Sequence, residues 1–138
     1  MMVSTRGRYA LRTMIDLAEN SRQGEYLAMK DIAARLEISK KYMEQIMPVL
    51  VKNGLVEGLH GQGGGYRLTR DPAEYRVGEI LRLTEGDLAP VACLSGDTTC
   101  TRSSACRTIA MWSRFNQLTN EFFDGITIAD LMQKEPGE

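Results

Sequence analysis

Apolar positions recur at helical spacing along the first third of the chain, and each such stretch is bounded by residues that start or stop helices. Tyr9, Ala10, Met14, Ile15, Leu17 and Ala18 form one stripe, predicted to run from a cap at Thr5 to about Asn20 and to end in the polar segment 21–24. Met29, Ile32, Ala33 and Leu36 share a face over residues 27–36. Glu37-Ile38-Ser39 then turns the chain, with Ser39 placed to cap the next helix. From Lys40 to Asn53 the stripe is Met43, Ile46, Met47, Leu50 and Val51, which leaves Lys40, Lys41, Glu44, Gln45 and Lys52 on the opposite face. Pro48 inside this segment is expected to bend it, and Asn53-Gly54 to close it.

Beyond Gly54 the pattern changes. Residues 55–59 and 66–69 read as short strands around Gly61-Gln62-Gly63-Gly64-Gly65, a hairpin whose register three consecutive glycines leave weakly specified. A polar connector over 71–76 leads to a short helix over 77–83, with Val77, Ile80 and Leu83 inward. Residues 86–104 are rich in Gly, Asp, Ser, Thr and Pro and exceed an ordinary connection. A long helix is predicted from Ser103, carrying Ile109, Trp112, Phe115, Leu118 and Phe122 on one stripe. Asp124-Gly125 stops it, and Thr127 caps a brief terminal helix through Met132. The expected fold is mainly α: a winged helix-turn-helix over 1–85, a cysteine-bearing loop over 86–106, and a C-terminal helix and tail over 103–138. That last helix has little to bury against within one chain, so its stripe predicts a homodimer.

The net charge of -1 hides an asymmetry. Residues 1–70 carry 11 Lys+Arg against 7 Asp+Glu, whereas residues 71–138 carry 6 against 11, so the basic half is the half with the helix-turn-helix. A recognition helix presents its N-terminal side chains to base edges in the major groove. Gln45, Glu44, Lys41 and Tyr42 have suitable chemistry, and Lys40 or Lys41 suits a phosphate; the competing reading is a solvated helix face. His60, at the wing, is a phosphate or minor-groove candidate, a metal ligand or an exposed loop residue. The glycine run is not a nucleotide-binding loop, because no Gly-Lys-Ser/Thr follows and a strand, not a helix, comes next. No stretch approaches the roughly 18 apolar residues of a membrane span, and the start lacks the apolar core of a signal peptide, so a cytoplasmic protein is expected.

Cys93, Cys100 and Cys106 are the only cysteines. Their spacing matches no Cys-x-x-Cys zinc knuckle, and an odd number in a reducing compartment argues against a simple disulfide framework. Wider spacing in a polar loop suits an iron–sulfur cluster with one iron position open. Small buried thiols beside a dimer helix are the alternative.

Taken together, Ser4-Thr5-Arg6-Gly7-Arg8-Tyr9-Ala10-Leu11, Tyr42-Met43-Glu44-Gln45, Lys52-Asn53-Gly54-Leu55-Val56, Gly63-Gly64-Gly65-Tyr66, Val77-Gly78-Glu79-Ile80 and the cysteines followed by Ala110-Met111-Trp112 resemble the Rrf-two family of winged-helix transcriptional regulators, in its IscR- and NsrR-like branch with a cysteine triad. The resemblance covers nearly the whole chain. It implies a non-enzymatic, homodimeric regulator, repressor or activator, on palindromic double-stranded DNA. Ser39, Lys41, Tyr42, Glu44 and Gln45 would lie at the major groove, and His60 with Gly63, Gly64 and Gly65 at the minor groove. It further implies that Cys93, Cys100 and Cys106 hold a two-iron or four-iron iron–sulfur cluster. IscR-like chains have a histidine where this chain has Ile109, a basic arginine where it has His60, and NsrR-like chains have an aspartate where it has Arg8. The fourth ligand is therefore another residue or a small molecule, or the cluster is held by three thiols and is labile. A cluster-free regulator of the same fold, controlled by a protein partner or by thiol oxidation, is the alternative.

Overall fold

In the computed structural model, which describes residues 3–94 and 106–133, the elements run α1 (Thr5–Asn20), α2 (Met29–Leu36), α3 (Lys40–Lys52), β1 (Val56–Leu59), β2 (Gly65–Leu68), α4 (Val77–Glu85), α5 (Ile109–Asp124) and α6 (Ile128–Leu131). Two 3-10 turns, Pro72–Glu74 and Ala92–Leu94, flank α4. The fold is mainly helical with one antiparallel hairpin, as the periodicity predicts.

The stripes meet in one core. Ala10, Met14 and Leu17 of α1 pack with Ile32 of α2 and with Met43, Ile46, Met47 and Leu50 of α3, closed below by Leu55, Ile80 and Ile128. Each of these side chains is almost fully removed from water, so the three helices hold one another in fixed rotation. Arg35 of α2 adds a two-pronged bond to the buried carboxylate of Asp16 in α1, at 2.9 and 2.8 Å. Glu37, in the left-handed region at φ 56°, makes the turn into α3.

Several local expectations change. Ser4, not Thr5, caps α1: its hydroxyl accepts from the Gly7 N–H at 3.2 Å and also bonds Glu85 at the end of α4. α2 starts at Met29 because Leu27 exchanges two backbone hydrogen bonds of 2.8 Å with Tyr66, which adds a strand-like residue to the hairpin. Pro48 removes only an N–H on the solvent side, and α3 runs on through it. Val51 lies past the edge of the α3 stripe and is 39% exposed. In α4, Ile80 is buried in the core with Leu83 half-buried against it, while Leu81, on another face, packs with Val77 and Leu88 against Phe123 and Ile126.

The connector after β2 is less polar than it reads. Tyr75 is fully buried, and its hydroxyl accepts from the Thr69 and Arg70 N–H groups at 3.0 and 2.9 Å while donating to the Leu55 carbonyl at 2.8 Å. α5 starts at Ile109, not at Ser103: residues 106–108 are not helical, and Ser103 itself lies outside the described residues. The far end of α5 is fixed to the core. Arg82 of α4 donates to both carboxylate oxygens of Asp124 at 2.8 Å and to Asn120 at 2.7 Å. Val77 N–H donates to the Ile126 carbonyl at 2.9 Å, and Ile128 is buried behind it. Gly78 makes the approach possible, since a Cβ there would lie 2.0 Å from Asp124 Oδ1.

Candidate nucleic-acid interface

α3 meets water along the face opposite its stripe. Lys40, Lys41, Glu44 and Gln45 are all exposed, and none of their side chains bonds another described residue. Because Met43, Ile46, Met47 and Leu50 are locked in the core, the rotation that displays these polar groups is fixed. Ser39 and Tyr42 are placed differently. The Ser39 hydroxyl caps α3 by accepting from the Tyr42 N–H at 3.1 Å, and the Tyr42 ring is half-buried edge-on against Tyr9, centroids 5.1 Å apart. Arg12, whose guanidinium sits 5.4 Å from the Tyr9 ring, donates to the Leu36 carbonyl at the end of α2.

The hairpin stands beside this face. β1 and β2 pair from Val56↔Leu68 to Leu59↔Gly65, so the register that sequence leaves open is settled by the backbone. Packing dictates two of the glycines: a Cβ on Gly64 would lie 2.1 Å from the Leu59 carbonyl oxygen, and one on Gly65 would lie 2.2 Å from that of Leu27. Gly63, at φ 79°, and His60 lie exposed at the tip. Arg67, which the sequence pattern does not single out, ties the wing to the segment between α1 and α2, as the Leu27–Tyr66 pairing also does. It bonds Glu57 across the hairpin, donates to the Gly24 carbonyl at 2.9 Å, and stacks 4.3 Å over the Tyr26 ring. An alternating strand pattern marks Arg67 only as polar, which is why it escapes notice. Between α3 and the wing runs a shallow groove of about 280 Å³.

Cys93 sits in the turn Ala92–Leu94, which packs against α5, and Cys106 lies just before α5 begins. Cys106 Sγ is 3.4 Å from the Thr108 hydroxyl; that hydroxyl, with the backbone N–H groups of Thr108 and Ile109, holds the thiol below its ordinary pKa. The chemistry of this donor set fits a thiolate-bound cluster. Cys100 lies outside the described residues, and among the described residues no three ligating side chains converge on a metal position. Ile109, where a fourth ligand would be sought, offers no donor.

α5 carries no fully buried residue. Phe115, Leu118 and Phe122 are 43%, 46% and 63% exposed and border an apolar hollow of about 410 Å³, while Trp112 is half-buried. Among the described residues no helix is long and apolar enough to cross a membrane.

Comparison with known proteins agrees with this architecture. Residues 3–134 match the family described as Rrf2, iron-dependent transcriptional regulator. The HTH-type transcriptional regulator IscR of Klebsiella pneumoniae is 34% identical over 135 residues, which are 98% of this chain and 82% of that protein. Among solved structures, CymR, the global cysteine regulator of B. subtilis, superposes with a TM-score of 0.76 at 34% identity over 95% of both chains. IscR of T. potens superposes at 0.72 with 35% identity, over 95% of this chain and 85% of that one. These relatives are regulators, not enzymes. The chain belongs to the Rrf2 family of winged-helix transcriptional regulators and is of the IscR type.

Proposed function

We propose that the protein acts in the cytoplasm as a homodimer on palindromic duplex DNA, and that an iron–sulfur cluster on Cys93, Cys100 and Cys106 sets its affinity for that DNA. The observation that carries the DNA reading is the unpartnered polar face of α3 beside a wing held at a fixed angle. In this reading Gln45 and Glu44 meet base edges, Lys40 and Lys41 meet phosphates, and His60 with Gly63, Gly64 and Gly65 approaches the minor groove. Ser39 and Tyr42 hold the helix start in place. Two-fold symmetry follows from the exposed α5 stripe, whose burial against a second copy would pair the two wings with two half-sites.

The cluster reading rests on the lowered Cys106 thiol and on its place before α5, where helix N–H groups favour thiolate charge. When bound, a cluster supplies a group that responds to iron supply and to oxidants. Thr108 would orient the Cys106 ligand, and the Arg82–Asp124 bond ties the far end of the same helix to the DNA-binding core. A second reading, thiol oxidation without a cluster, is favoured by one observation: the oxidized form of Staphylococcus aureus CymR superposes at a TM-score of 0.73 with 30% identity.

Selection of a duplex from a random pool, followed by titration of variants, tests the DNA reading. Gln45→Ala is expected to lose about 1–3 kcal/mol of discrimination between selected and random duplex, whereas Lys40→Ala weakens both alike. Equal loss on both duplexes for Gln45→Ala removes it from the reading residues.

A further inference from the structure

A two-stranded hairpin is marginal in water by itself, and this one leans on the core at its base, where Val56 is buried and Leu68 packs against the core cluster. Farther out, residues 58–63 are exposed. Between base and tip a second support reaches the wing from the segment joining α1 to α2. Leu27 pairs with Tyr66 through two backbone hydrogen bonds of 2.8 Å, and the next residue along β2 is Arg67. Its Nε donates to Glu57, its partner in the cross-strand register, and its Nη1 donates to the Gly24 carbonyl at 2.9 Å. The guanidinium also lies over the Tyr26 ring, 4.3 Å from its centroid. Gln23 and Gly24, at φ 53° and 75°, are consecutive left-handed residues, a conformation glutamine rarely holds, and the carbonyl that Arg67 binds belongs to this turn. Engaging edge and face at once requires a planar cation, which lysine is not.

We propose that Arg67 is a positioning residue: bracketed between Glu57, Gly24 and Tyr26, it fixes how the wing tip stands relative to α3 and so sets the wing's share of DNA recognition, without itself touching DNA. This assignment rests on the DNA reading proposed above. The obvious competing role for an arginine on a wing is a phosphate contact. Here the charge is already balanced by Glu57, and both an edge and the face of the guanidinium are taken up within the chain. Leverage makes the bracket matter. The tip lies at most about 13 Å along the strand from Arg67, so a rotation of about 10° there moves it by about 2 Å, enough to break a hydrogen bond. Stability depends on the bracket much less. The Arg67–Glu57 pair is over a third exposed on both sides, and the Leu27–Tyr66 pairing does not need it.

A bracket and a phosphate contact differ in their response to salt and in what conservative replacements rescue. Losing a phosphate contact reduces the salt slope by about one, whereas misplacing the wing leaves that slope nearly unchanged. Full-length variants are titrated on the selected duplex at several salt concentrations, with hydroxyl-radical footprints of the same complexes to show where the minor groove is covered. Arg67→Gln is expected to bind about threefold to tenfold more weakly, the scale of one or two lost hydrogen bonds. It should lose the minor-groove protection, keep the discrimination supplied by Gln45, and melt at the wild-type temperature. Arg67→Lys should behave like Arg67→Gln, since it restores the charge but not the planar fork. Tyr26→Phe should keep the wild-type footprint and Tyr26→Ser should lose it, although Arg67 is present in both. Wild-type affinity and footprint in Arg67→Gln, with Gln45→Ala still losing discrimination, overturn the bracket alone. So does a salt slope reduced by about one in Arg67→Gln and restored in Arg67→Lys, which would make Arg67 a phosphate contact. A lowered melting temperature with all protections weakened alike reduces its role to stability and also overturns the proposal. Failure of the wild-type protein to select any duplex overturns the bracket and the DNA reading together.

Discussion

The helix-turn-helix and the last long helix are built by opposite rules. In α1 to α3 every stripe residue but one finds a partner within the chain, and α3 leaves Lys40, Lys41, Glu44 and Gln45 outside on one face. In α5 no side chain is fully buried, and the aromatic stripe faces open space. The first region is complete as one chain. Among the described residues, the second is held at its C-terminal end through Arg82, Asp124 and the strand-like pairing of Arg76 with Thr127, and it packs against the turn that carries Cys93.

The strongest way to break this contrast is Phe115→Glu. If α5 is completed by a second copy, sedimentation should show monomers, and affinity for a two-fold duplex should fall by about a hundredfold or more, because the second half-site is no longer tethered. A dimer that survives places the interface elsewhere. A smaller effect probes the self-sufficient half. Tyr75→Phe removes a buried hydroxyl that serves Thr69, Arg70 and Leu55, and is expected to cost about 2 kcal/mol in a denaturant titration while leaving the oligomeric state unchanged. A loss near zero would mean that water replaces the hydroxyl.

The smallest effect tests the joint between the two regions. Hydrogen bonds from Arg82 hold Asp124 below the ordinary carboxylate pKa. The pair therefore stabilises fully above that range and ceases to do so as pH falls through the lowered value. Both side chains are over a third exposed, so Arg82→Ala should cost only about 1 kcal/mol near neutrality. The difference from wild type should close as the pH drops below about 4. A pH-independent difference would assign the loss to packing of the Arg82 stem.

How much of this was legible in the sequence depended on range. Helical periods and caps place α1, α3 and the hairpin to within a residue or two, because Ser39, Asn53-Gly54 and the apolar stripes act locally. The polar connector hides the buried Tyr75, and the helical face hides the paired Leu27, because their partners, Leu55 and Tyr66, lie far along the chain and nothing local marks a hydroxyl or a backbone edge as taken. Arg67 escaped for the same reason. Val51 was placed inward by a period that does not say where the partner surface ends. The polar candidates on α3 stand on one exposed face, but Ser39 and Tyr42 are engaged in capping and packing, which spacing does not reveal. Cys106 lies just before α5 and Cys93 in a turn that packs against it, while Cys100 lies outside the described residues.

The central claim, that occupancy of the thiol loop sets DNA affinity, is tested most directly by one anaerobic, iron-replete titration of the selected duplex with wild type and with the triple Cys93→Ala, Cys100→Ala, Cys106→Ala variant, following visible absorption and bound iron and sulfide in the same samples. The expected result is a coloured, iron- and sulfide-containing wild type, a colourless variant, and binding curves separated by about tenfold or more, the scale of ordinary allosteric coupling. Superimposable curves from a loaded wild type and the colourless variant would contradict it.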